Sequence, residues 1–358
     1  MRIVDEVKLD FCDVLICPKR SQAITRAGVD LERKYKFLHS TEWQGLPLIA
    51  SNMTATGTIA MAKSLGRKGA MTALHKFYTV PELRYLFDEF PGLIQHTFYT
   101  LGVKDEDFKK LETVLSKTKF EIPFYCVDAA CGYTDFFVTR VARLREMVGG
   151  TPVIMAGNIA TPEMVQELLL VGKADIVKIG IGPGSVCKTR AVTGCGYPQL
   201  SAIIECADVA HGLNGHICAD GGCREPGDVV KAFAAGADYV MLGGMLAGTE
   251  ECEGEWRYWE PSFSPSSRAV DKADKEPKKK SFLFYGMSSR EANDKYCGGL
   301  KDYRAAEGTC EFVPYKGPVE RVLQEITGGM RSACAYVGAK KLKDLSKCTT
   351  FVRVNRPY

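Results

Sequence analysis

Apolar, strand-like runs alternate with helix-like segments through most of the chain, and this alternation constrains the fold more than any other feature. The eight strand-like runs lie at 46–53, 70–75, 96–102, 123–130, 151–157, 174–182, 216–222 and 237–244. The helix-like segments include 80–90, 105–117, 135–148, 161–171, 198–211 and 226–236. Eight strands that each lead into a helix favour a closed parallel barrel over an open sheet. The sequence therefore predicts an α/β fold, a single-domain (β/α)8 TIM barrel.

The same alternation suggests where the barrel begins and ends. Residues 1–45 are polar and mixed, which indicates an N-terminal cover segment, and residues 338–358 form a C-terminal tail. We expect the catalytic barrel to span 46–337, with a final helix at 318–337. Residues 250–280 are rich in proline, serine and charge. Segments of this length inside a compact domain are often lids, so we predict a mobile loop after the eighth strand.

Composition excludes several classes of protein. The 47 basic and 43 acidic residues nearly balance, so the charge does not indicate a nucleic-acid or membrane surface. Apolar runs stay well below the roughly 20 residues that span a bilayer. The first residues lack the apolar core of a signal peptide. Fourteen cysteines are scattered through the predicted strands and helices. We interpret them as reduced thiols and expect a cytoplasmic protein.

One of these cysteines stands on a glycine-proline loop directly after the sixth strand. The loop reads Gly182-Pro183-Gly184-Ser185-Val186-Cys187. Glycines allow a tight turn and a close approach of the backbone to a ligand. A thiol on such a loop suits a nucleophile, but a cysteine is also commonly a small buried hydrophobe. The loop by itself leaves both interpretations open.

Three glycine loops would meet at the mouth of such a barrel. They follow the sixth, seventh and eighth strands, at 182–185, 220–222 and 243–244. Barrels often hold a phosphate there on backbone N–H groups. Ser185 adds a hydroxyl, and the Asp220 carboxylate suits two ribose hydroxyls. The loops therefore predict a site for a nucleoside monophosphate whose base reaches toward Cys187, and their spacing fits neither a dinucleotide-binding motif nor a P-loop.

Longer motifs carry a resemblance to a known family. They occupy 182–202, 220–222, 241–244, 284–289, 303–308 and 313–317. Together they resemble the IMP dehydrogenase/GMP reductase family, and the last three are closest to its GMP-reducing branch. The β/α alternation continues from 46 to 244 without room for the regulatory module that most IMP dehydrogenases insert.

The resemblance implies a specific reaction, the NADPH-dependent reductive deamination of GMP to IMP and ammonia in purine nucleotide interconversion and salvage. Cys187 would attack C2 of the purine and form a covalent thioimidate. Sulfur is both a good nucleophile and a good leaving group, so one atom can serve both steps. Thr189 and Glu307 match the family's proton-relay pair, which the leaving amine requires because it departs only when protonated.

The resemblance also implies the residues that bind the substrate. Those at the phosphate are Ser185, Gly222, Gly243 and Gly244. Asp220 would hold the ribose, and the guanine side would be formed by Met287, Ser288, Arg304 and Gly308. The neighbouring residues of these motifs complete the set: Gly221, Gly286, Ala305 and Ala306.

Cofactor, cation and assembly are implied in the same way. The family pattern places NADPH on Thr25, Arg26, Lys76, Asp128, Ala129, Ala130 and Gly180. A neighbouring subunit would add Ser332, Ala333, Cys334 and Ala335, within a homotetramer. Arg26 and Lys76 fit the 2′-phosphate that distinguishes NADPH from NADH. A monovalent cation, expected to be K⁺, would lie on the carbonyls of Gly182, Gly184, Cys187 and Arg190.

Two alternatives to this reaction stay open, and two departures from the family pattern support the second of them. Thr54 stands where an aspartate is usual, and Lys188 where a threonine is common. One alternative is an IMP dehydrogenase-type oxidation of IMP with NAD, which would use the same cysteine and nucleotide loops. The other is a catalytically silent sensor of purine nucleotides.

Overall fold

The computed structural model describes residues 3–21, 25–38, 42–117, 121–259 and 278–355. The strands of this part of the chain are β1 (Val14–Ile16), β2 (Arg33–Lys36), β3 (Glu42–Gly45), β4 (Leu48–Ala50), β5 (Met71–Ala73), β6 (Thr97–Leu101), β7 (Phe124–Asp128), β8 (Val153–Ile159), β9 (Ile176–Ile179), β10 (His216–Asp220), β11 (Tyr239–Leu242), β12 (Trp256–Tyr258), β13 (Lys279–Tyr285), β14 (Cys310–Pro314) and β15 (Phe351–Arg353). Strands β4 to β11 form a closed barrel in which every neighbouring pair is parallel. The predicted (β/α)8 barrel is confirmed, and its eight strands are the eight predicted runs.

Helices follow the strands as predicted, but four of the described helices, α1, α6, α9 and α11, have no counterpart in the sequence analysis. Those described are α1 (Ile59–Gly66), α2 (Val80–Glu89), α3 (Asp105–Lys117), α4 (Asp135–Val148), α5 (Pro162–Leu170), α6 (Thr189–Thr193), α7 (Gln199–Gly212), α8 (Pro226–Ala234), α9 (Arg290–Tyr296), α10 (Val319–Val337) and α11 (Leu345–Cys348). The sequence analysis missed α1 because threonines and a glycine precede it and indicate a turn. Thr58 instead caps the helix, since its hydroxyl accepts a hydrogen bond from the Met61 N–H at 3.0 Å.

Side chains of the barrel strands alternate between two separate cores. In β7, Phe124 and Cys126 belong to the core inside the barrel, whereas Tyr125 and Val127 pack beneath the helices. This alternation is the two-residue period of a strand. Both faces of these strands are apolar because helices cover the outside of the barrel.

The antiparallel hairpin β2–β3 covers the amino-terminal end of the barrel. Its Tyr35, Phe37 and Trp43 are buried and belong to the same core as the inward-facing strand residues. The Tyr35 ring lies 4.8 Å from that of Tyr239 at the start of β11, centre to centre. The hairpin closes this end with aromatic side chains, so the opposite end is the one left for a ligand.

The segments outside the barrel add smaller sheets. In the C-terminal tail, β15 pairs with β1 in an antiparallel ladder, and β12, β13 and β14 form a separate antiparallel sheet after the eighth barrel strand. Residues 260–277, which hold most of the predicted mobile loop 250–280, lie outside the described residues. The boundaries of the cover segment and tail stay predictions. Across the described ranges, we find no helix with the length and apolar character needed to cross a bilayer.

Candidate active site

A cavity of about 500 Å³ opens at the carboxyl end of the barrel strands. Its walls come from the segments that follow β4, β5, β6, β7, β9, β10 and β11, and from residues between β13 and β14. Active sites of (β/α)8 barrels lie at this end. The cavity contains most of the residues that the sequence analysis selected for substrate and catalysis.

Cys187 is held by backbone hydrogen bonds on both sides. Its N–H donates to the Gly184 carbonyl at 3.1 Å, which closes the glycine loop. The Lys188 N–H donates to the Glu307 carbonyl at 2.7 Å, and the Thr309 N–H donates to the Val186 carbonyl at 2.9 Å. Together with the Cys187–Gly308 bridge, these bonds form a short antiparallel pairing of two distant segments. The half-buried Cys187 side chain therefore faces the cavity from a backbone fixed at both neighbours.

The three proposed catalytic side chains form one hydrogen-bonded chain. The Cys187 Sγ donates to the Thr189 Oγ1 at 3.3 Å, and that hydroxyl donates to the Glu307 Oε2 at 2.8 Å. A proton can therefore move between the thiol and the carboxylate through one hydroxyl. Glu307 lies 118 positions from Thr189 in the sequence, and the pairing described above brings the two together.

The three glycine loops converge as the sequence analysis expected. An added Cβ on Gly244 would lie 2.8 Å from the Ser185 Oγ, and one on Gly221 would lie 3.3 Å from the Gly184 N. An added Cβ on Gly180 would lie 2.1 Å from the Asp220 carbonyl oxygen, so this approach of β9 to β10 requires glycine. The result is a pocket wall of backbone groups in which Asp220 supplies a carboxylate.

Most residues expected on the guanine side line the same cavity. Those that line it are Gly286, Met287, Ser288, Arg304 and Gly308. The Glu307 N–H donates to the Ser288 carbonyl at 3.2 Å, and the Gly286 N–H donates to the Thr309 carbonyl at 3.0 Å. Ala305 and Ala306 belong to the same segment but do not contribute to the lining.

Comparison with known proteins identifies the family. A family model described as IMP dehydrogenase / GMP reductase domain matches residues 98–357, which is more than half of the chain. The chain belongs to the IMP dehydrogenase/GMP reductase family.

Relatives that match the whole chain share about half of its residues. A protein from Aeromonas hydrophila named GMP reductase is 51% identical over 99% of this chain and 97% of its own length. Proteins of the same name from Klebsiella pneumoniae and Escherichia coli O81 are each 50% identical over the same shares. The resemblance inferred from the motifs is confirmed.

In this member of the IMP dehydrogenase/GMP reductase family, the buried Lys178 contacts two acidic residues of the cavity lining, Asp128 on β7 and Asp220 on β10. The Lys178 Nζ lies 2.7 Å from Asp128 Oδ1 and 2.8 Å from Asp220 Oδ2, and it also donates to Asn158 Oδ1. Burial acts to lower the pKa of Lys178, but the two carboxylates raise it well above its usual value. Burial likewise acts to raise the pKa of Asp128, and Lys178 reverses that effect and lowers it.

The sequence analysis gave Lys178 no role, although one signal was present. Lys178 is the charged residue of an otherwise apolar strand, Ile176–Ile179. A lysine there must either be paired inside the barrel or face solvent. Strand alternation could not distinguish these outcomes, because both faces of the strand are apolar.

The residues expected to bind the cofactor divide into two groups. Lys76, Asp128, Ala129, Ala130 and Gly180 line the cavity. The others, Thr25, Arg26, Ser332, Ala333, Cys334 and Ala335, do not. Arg26 begins a 3-10 helix that packs on α10, which carries the last four residues of that group. This second group therefore lies apart from the cavity of its own chain, and the Cys334 side chain within it is fully buried.

The remaining departures and candidates are also placed. The buried Thr54 donates to the Tyr285 OH at 3.2 Å and lies 3.8 Å from the Met287 sulfur. Lys188 is exposed. The Arg190 guanidinium contacts Asp10 Oδ2 at 2.8 Å and lies outside the cavity lining.

Proposed function

We propose that this chain is a GMP reductase, which uses NADPH to convert GMP to IMP and ammonia. The observation that carries the proposal is the Cys187–Thr189–Glu307 hydrogen-bonded chain beside a cavity with converging glycine loops. Family membership and full-length relatives named GMP reductase support it.

The substrate is held by groups that match its parts. Backbone N–H groups of Gly222, Gly243 and Gly244, with the Ser185 hydroxyl, bind the phosphate. The Asp220 carboxylate accepts hydrogen bonds from ribose hydroxyls. Met287, Ser288 and Arg304, with Gly286, Gly308 and the adjoining Ala305 and Ala306, form the guanine side. This orientation presents C2 of the purine to the Cys187 sulfur.

In the first step, the proton relay carries the thiol proton to the leaving amine. The Cys187 thiol proton passes through Thr189 to Glu307, which generates the thiolate. The thiolate forms a bond to C2 while the C2–N bond to the amine breaks. Glu307 returns the proton to the leaving nitrogen, which departs as ammonia and leaves the thioimidate. NADPH, when bound, would supply the hydride that replaces sulfur at C2, and Cys187 would leave as the thiolate.

The residues present fit a dinucleotide cofactor next to the substrate. The cavity continues from Cys187 past Gly180 to Asp128, Ala129, Ala130 and Lys76. The Lys76 ammonium is suited to a cofactor phosphate.

Because Thr25, Arg26 and Ser332–Ala335 lie outside the cavity of their own chain, they would serve the site of a neighbouring subunit. A homotetramer provides that arrangement.

The Cys187 loop also offers carbonyl oxygens for a monovalent cation such as K⁺. The Gly184 carbonyl accepts from the Cys187 N–H, and the Arg190 carbonyl accepts from the Gly194 N–H. Each of these oxygens keeps a second lone pair. With the carbonyls of Gly182 and Cys187, they form the proposed cation ligands.

All fourteen cysteines are free, which fits a reducing compartment such as the cytoplasm.

A paired assay tests the function. The purified protein is mixed with GMP and NADPH, and separately with IMP and NAD, while absorbance of the reduced nicotinamide is followed. We expect NADPH to be consumed with GMP and ammonia to be released in equal amount. Formation of NADH from IMP, without consumption of NADPH, would reject the proposal in favour of an IMP dehydrogenase.

A further inference from the structure

The ammonium group of Lys178 lies between two carboxylates, Asp128 and Asp220, that are proposed to face different ligands. Lys178 lies two positions after Ile176 on β9, so its side chain points into the barrel like that of Ile176, and it is 2% exposed. On β7 and β10, Asp128 and Asp220 each follow an inward-facing cysteine by two positions, so both carboxylates point into the barrel. All three charged groups therefore meet at the upper end of the barrel interior.

The surroundings of Lys178 make its pairing obligatory. The inward-facing Cys126, Met155 and Cys218 beneath it are fully buried. A buried cation is tolerated when carboxylates and hydrogen bonds replace its water. Asp128 Oδ1 at 2.7 Å and Asp220 Oδ2 at 2.8 Å provide that replacement. Displacing either carboxylate must therefore affect the other through the shared ammonium.

Asn158 strengthens the connection on the side of Asp220. Its Oδ1 accepts a hydrogen bond from Lys178, while its Nδ2 donates to Asp220 Oδ2 and to the Gly180 carbonyl, both at 2.9 Å. Asp220 Oδ2 is thus held by two donors. This leaves Asp220 Oδ1 as the oxygen that can turn to a ribose hydroxyl.

We propose that Lys178 is a positioning residue that sets Asp220 for the ribose and Asp128 for the cofactor through one ammonium group. The proposal rests on the proposed function and deepens it. Its consequence is that the two ligand sites share one electrostatic support. A change on the cofactor side therefore alters GMP binding even when no cofactor is present.

The first experiment measures GMP affinity by calorimetry without cofactor. Asp128→Asn removes one charge at nearly constant shape, which frees Lys178 to move toward Asp220. We expect the Kd for GMP to rise about 5-fold, although Asp128 itself is assigned to the cofactor. A Kd within two-fold of the wild-type value, roughly the error of the measurement, overturns the proposal.

The second experiment compares three lysine variants in steady-state kinetics. Lys178→Met removes the charge, and we expect KM for GMP and for NADPH to rise together by about 10-fold or more. Lys178→Arg keeps the positive charge, so we expect both of its KM values to lie between those of wild type and those of Lys178→Met. Lys231→Met is the matched control, because Lys231 is also buried, at 3% exposure, but lies outside the cavity. Its loss should lower the unfolding temperature and leave both KM values unchanged.

The outcomes separate this proposal from the proposed function. If wild type fails to reduce GMP, the proposed function fails, whereas the calorimetric test of Asp128→Asn still decides the link to nucleotide binding. If wild type is active and Lys178→Met raises only one KM, the shared support is wrong. If Lys178→Met does not fold, the double variant Lys178→Met/Asp128→Asn, which also removes one of the two facing carboxylates, replaces it, and only its KM for GMP is compared because Asp128 is itself assigned to the cofactor.

Discussion

At the scale of single residues, the surroundings of a side chain decide what it does. Cys126 and Cys218 are fully buried inside the barrel, and burial raises the pKa of the Cys126 thiol to about 12. Such thiols stay protonated and inaccessible. Cys187 has the same chemistry but stands half-buried at the cavity, next to a hydroxyl and a carboxylate. Position separates the proposed nucleophile from the structural cysteines.

Replacing the sulfur tests this assignment. We expect Cys187→Ala to lower kcat by at least about 10⁴-fold, because the variant lacks the sulfur that is proposed to form the covalent intermediate. GMP should still bind with a Kd close to that of wild type, since the phosphate and ribose contacts remain. Calorimetry measures the Kd for GMP, and an assay of NADPH consumption measures kcat. Cys195→Ala, at an exposed cysteine outside the cavity lining, is the control. Residual turnover near the wild-type rate would point to another nucleophile or to none.

The relay makes a separate prediction about proton transfer. Glu307→Gln keeps the shape of the side chain but cannot hold and return the proton, so kcat should fall by about 10²- to 10⁴-fold. Thr189→Ser keeps a hydroxyl between Cys187 and Glu307 and should retain most activity, whereas Thr189→Ala should resemble Glu307→Gln. Single-turnover release of ammonia provides the measurement. Equal rates for the serine and alanine variants would show that the hydroxyl is not part of the relay.

At the scale of elements, strand and helix ends place charge at opposite ends of the barrel. The upper end carries Lys178 and its carboxylates, which belong to the site. At the lower end, the buried Asp238 before β11 accepts from the Ile217 N–H at 3.0 Å and lies 2.9 Å from the His211 Nε2 at the end of α7. Arg33 of β2 approaches the same carboxylate at 3.6 Å. This second cluster connects three elements and serves stability.

The lower cluster predicts a dependence of stability on pH. The hydrogen bond to Asp238 raises the pKa of His211 above its usual value, although burial acts in the opposite direction. Its contribution is therefore present below the pKa of unfolded histidine, about 6.5, and is lost as the pH rises through the higher folded pKa. His211→Gln should lower the free energy of unfolding near pH 5.5 and have almost no effect near pH 9. Because the side chain is 45% exposed, we expect at most about 1 kcal/mol.

Urea titrations at several pH values measure the effect of His211→Gln on the free energy of unfolding. His96→Gln is the control, because its effect should depend on pH in the opposite direction. Burial lowers the pKa of His96, so its neutral form contributes stability that is lost as the pH falls. His96→Gln should therefore gain stability relative to wild type at low pH. A His211→Gln effect that grows toward high pH would contradict the assigned pairing.

At the scale of the whole molecule, the two ends of the barrel have different tasks. The β2–β3 hairpin closes the lower end with aromatic side chains, and the loops after seven barrel strands line the cavity at the upper end. Barrels of this class separate stability from activity in the same way. Substitutions at the hairpin should therefore affect folding while sparing the site.

Trp43 tests that separation. It is 4% exposed, and its ring centre lies 6.1 Å from that of Tyr35 and 5.4 Å from that of Tyr239. Trp43→Ala should reduce the free energy of unfolding by about 3–5 kcal/mol, because it leaves a large cavity. KM for GMP should stay unchanged at temperatures where the variant is folded. Trp259→Ala, at a 58% exposed tryptophan, should cost less than about 1 kcal/mol. A large change in KM for Trp43→Ala would mean that the two ends are coupled.

Much of the fold could be predicted because its signals are local. Each barrel strand appears in the sequence as a short apolar run, and helices such as Asp105–Lys117 and Asp135–Val148 show their own periodicity. The helix Ile59–Gly66 was missed where threonines and glycine imitate a turn. Of the site, the Cys187 loop and the glycine loops follow strands directly, so chain order was enough to place them at one rim.

Local pattern thus predicted the barrel and the rim that carries the cavity, and the family motifs led to the proposal of Cys187 as nucleophile. Tertiary structure decided which distant groups meet. Lys178 finds Asp128 50 positions before it and Asp220 42 positions after it, and Thr189 finds Glu307 118 positions away. These contacts depend on barrel closure and on which face of each strand turns inward. A strand covered on both sides is apolar on both faces, so its sequence carries no record of that choice.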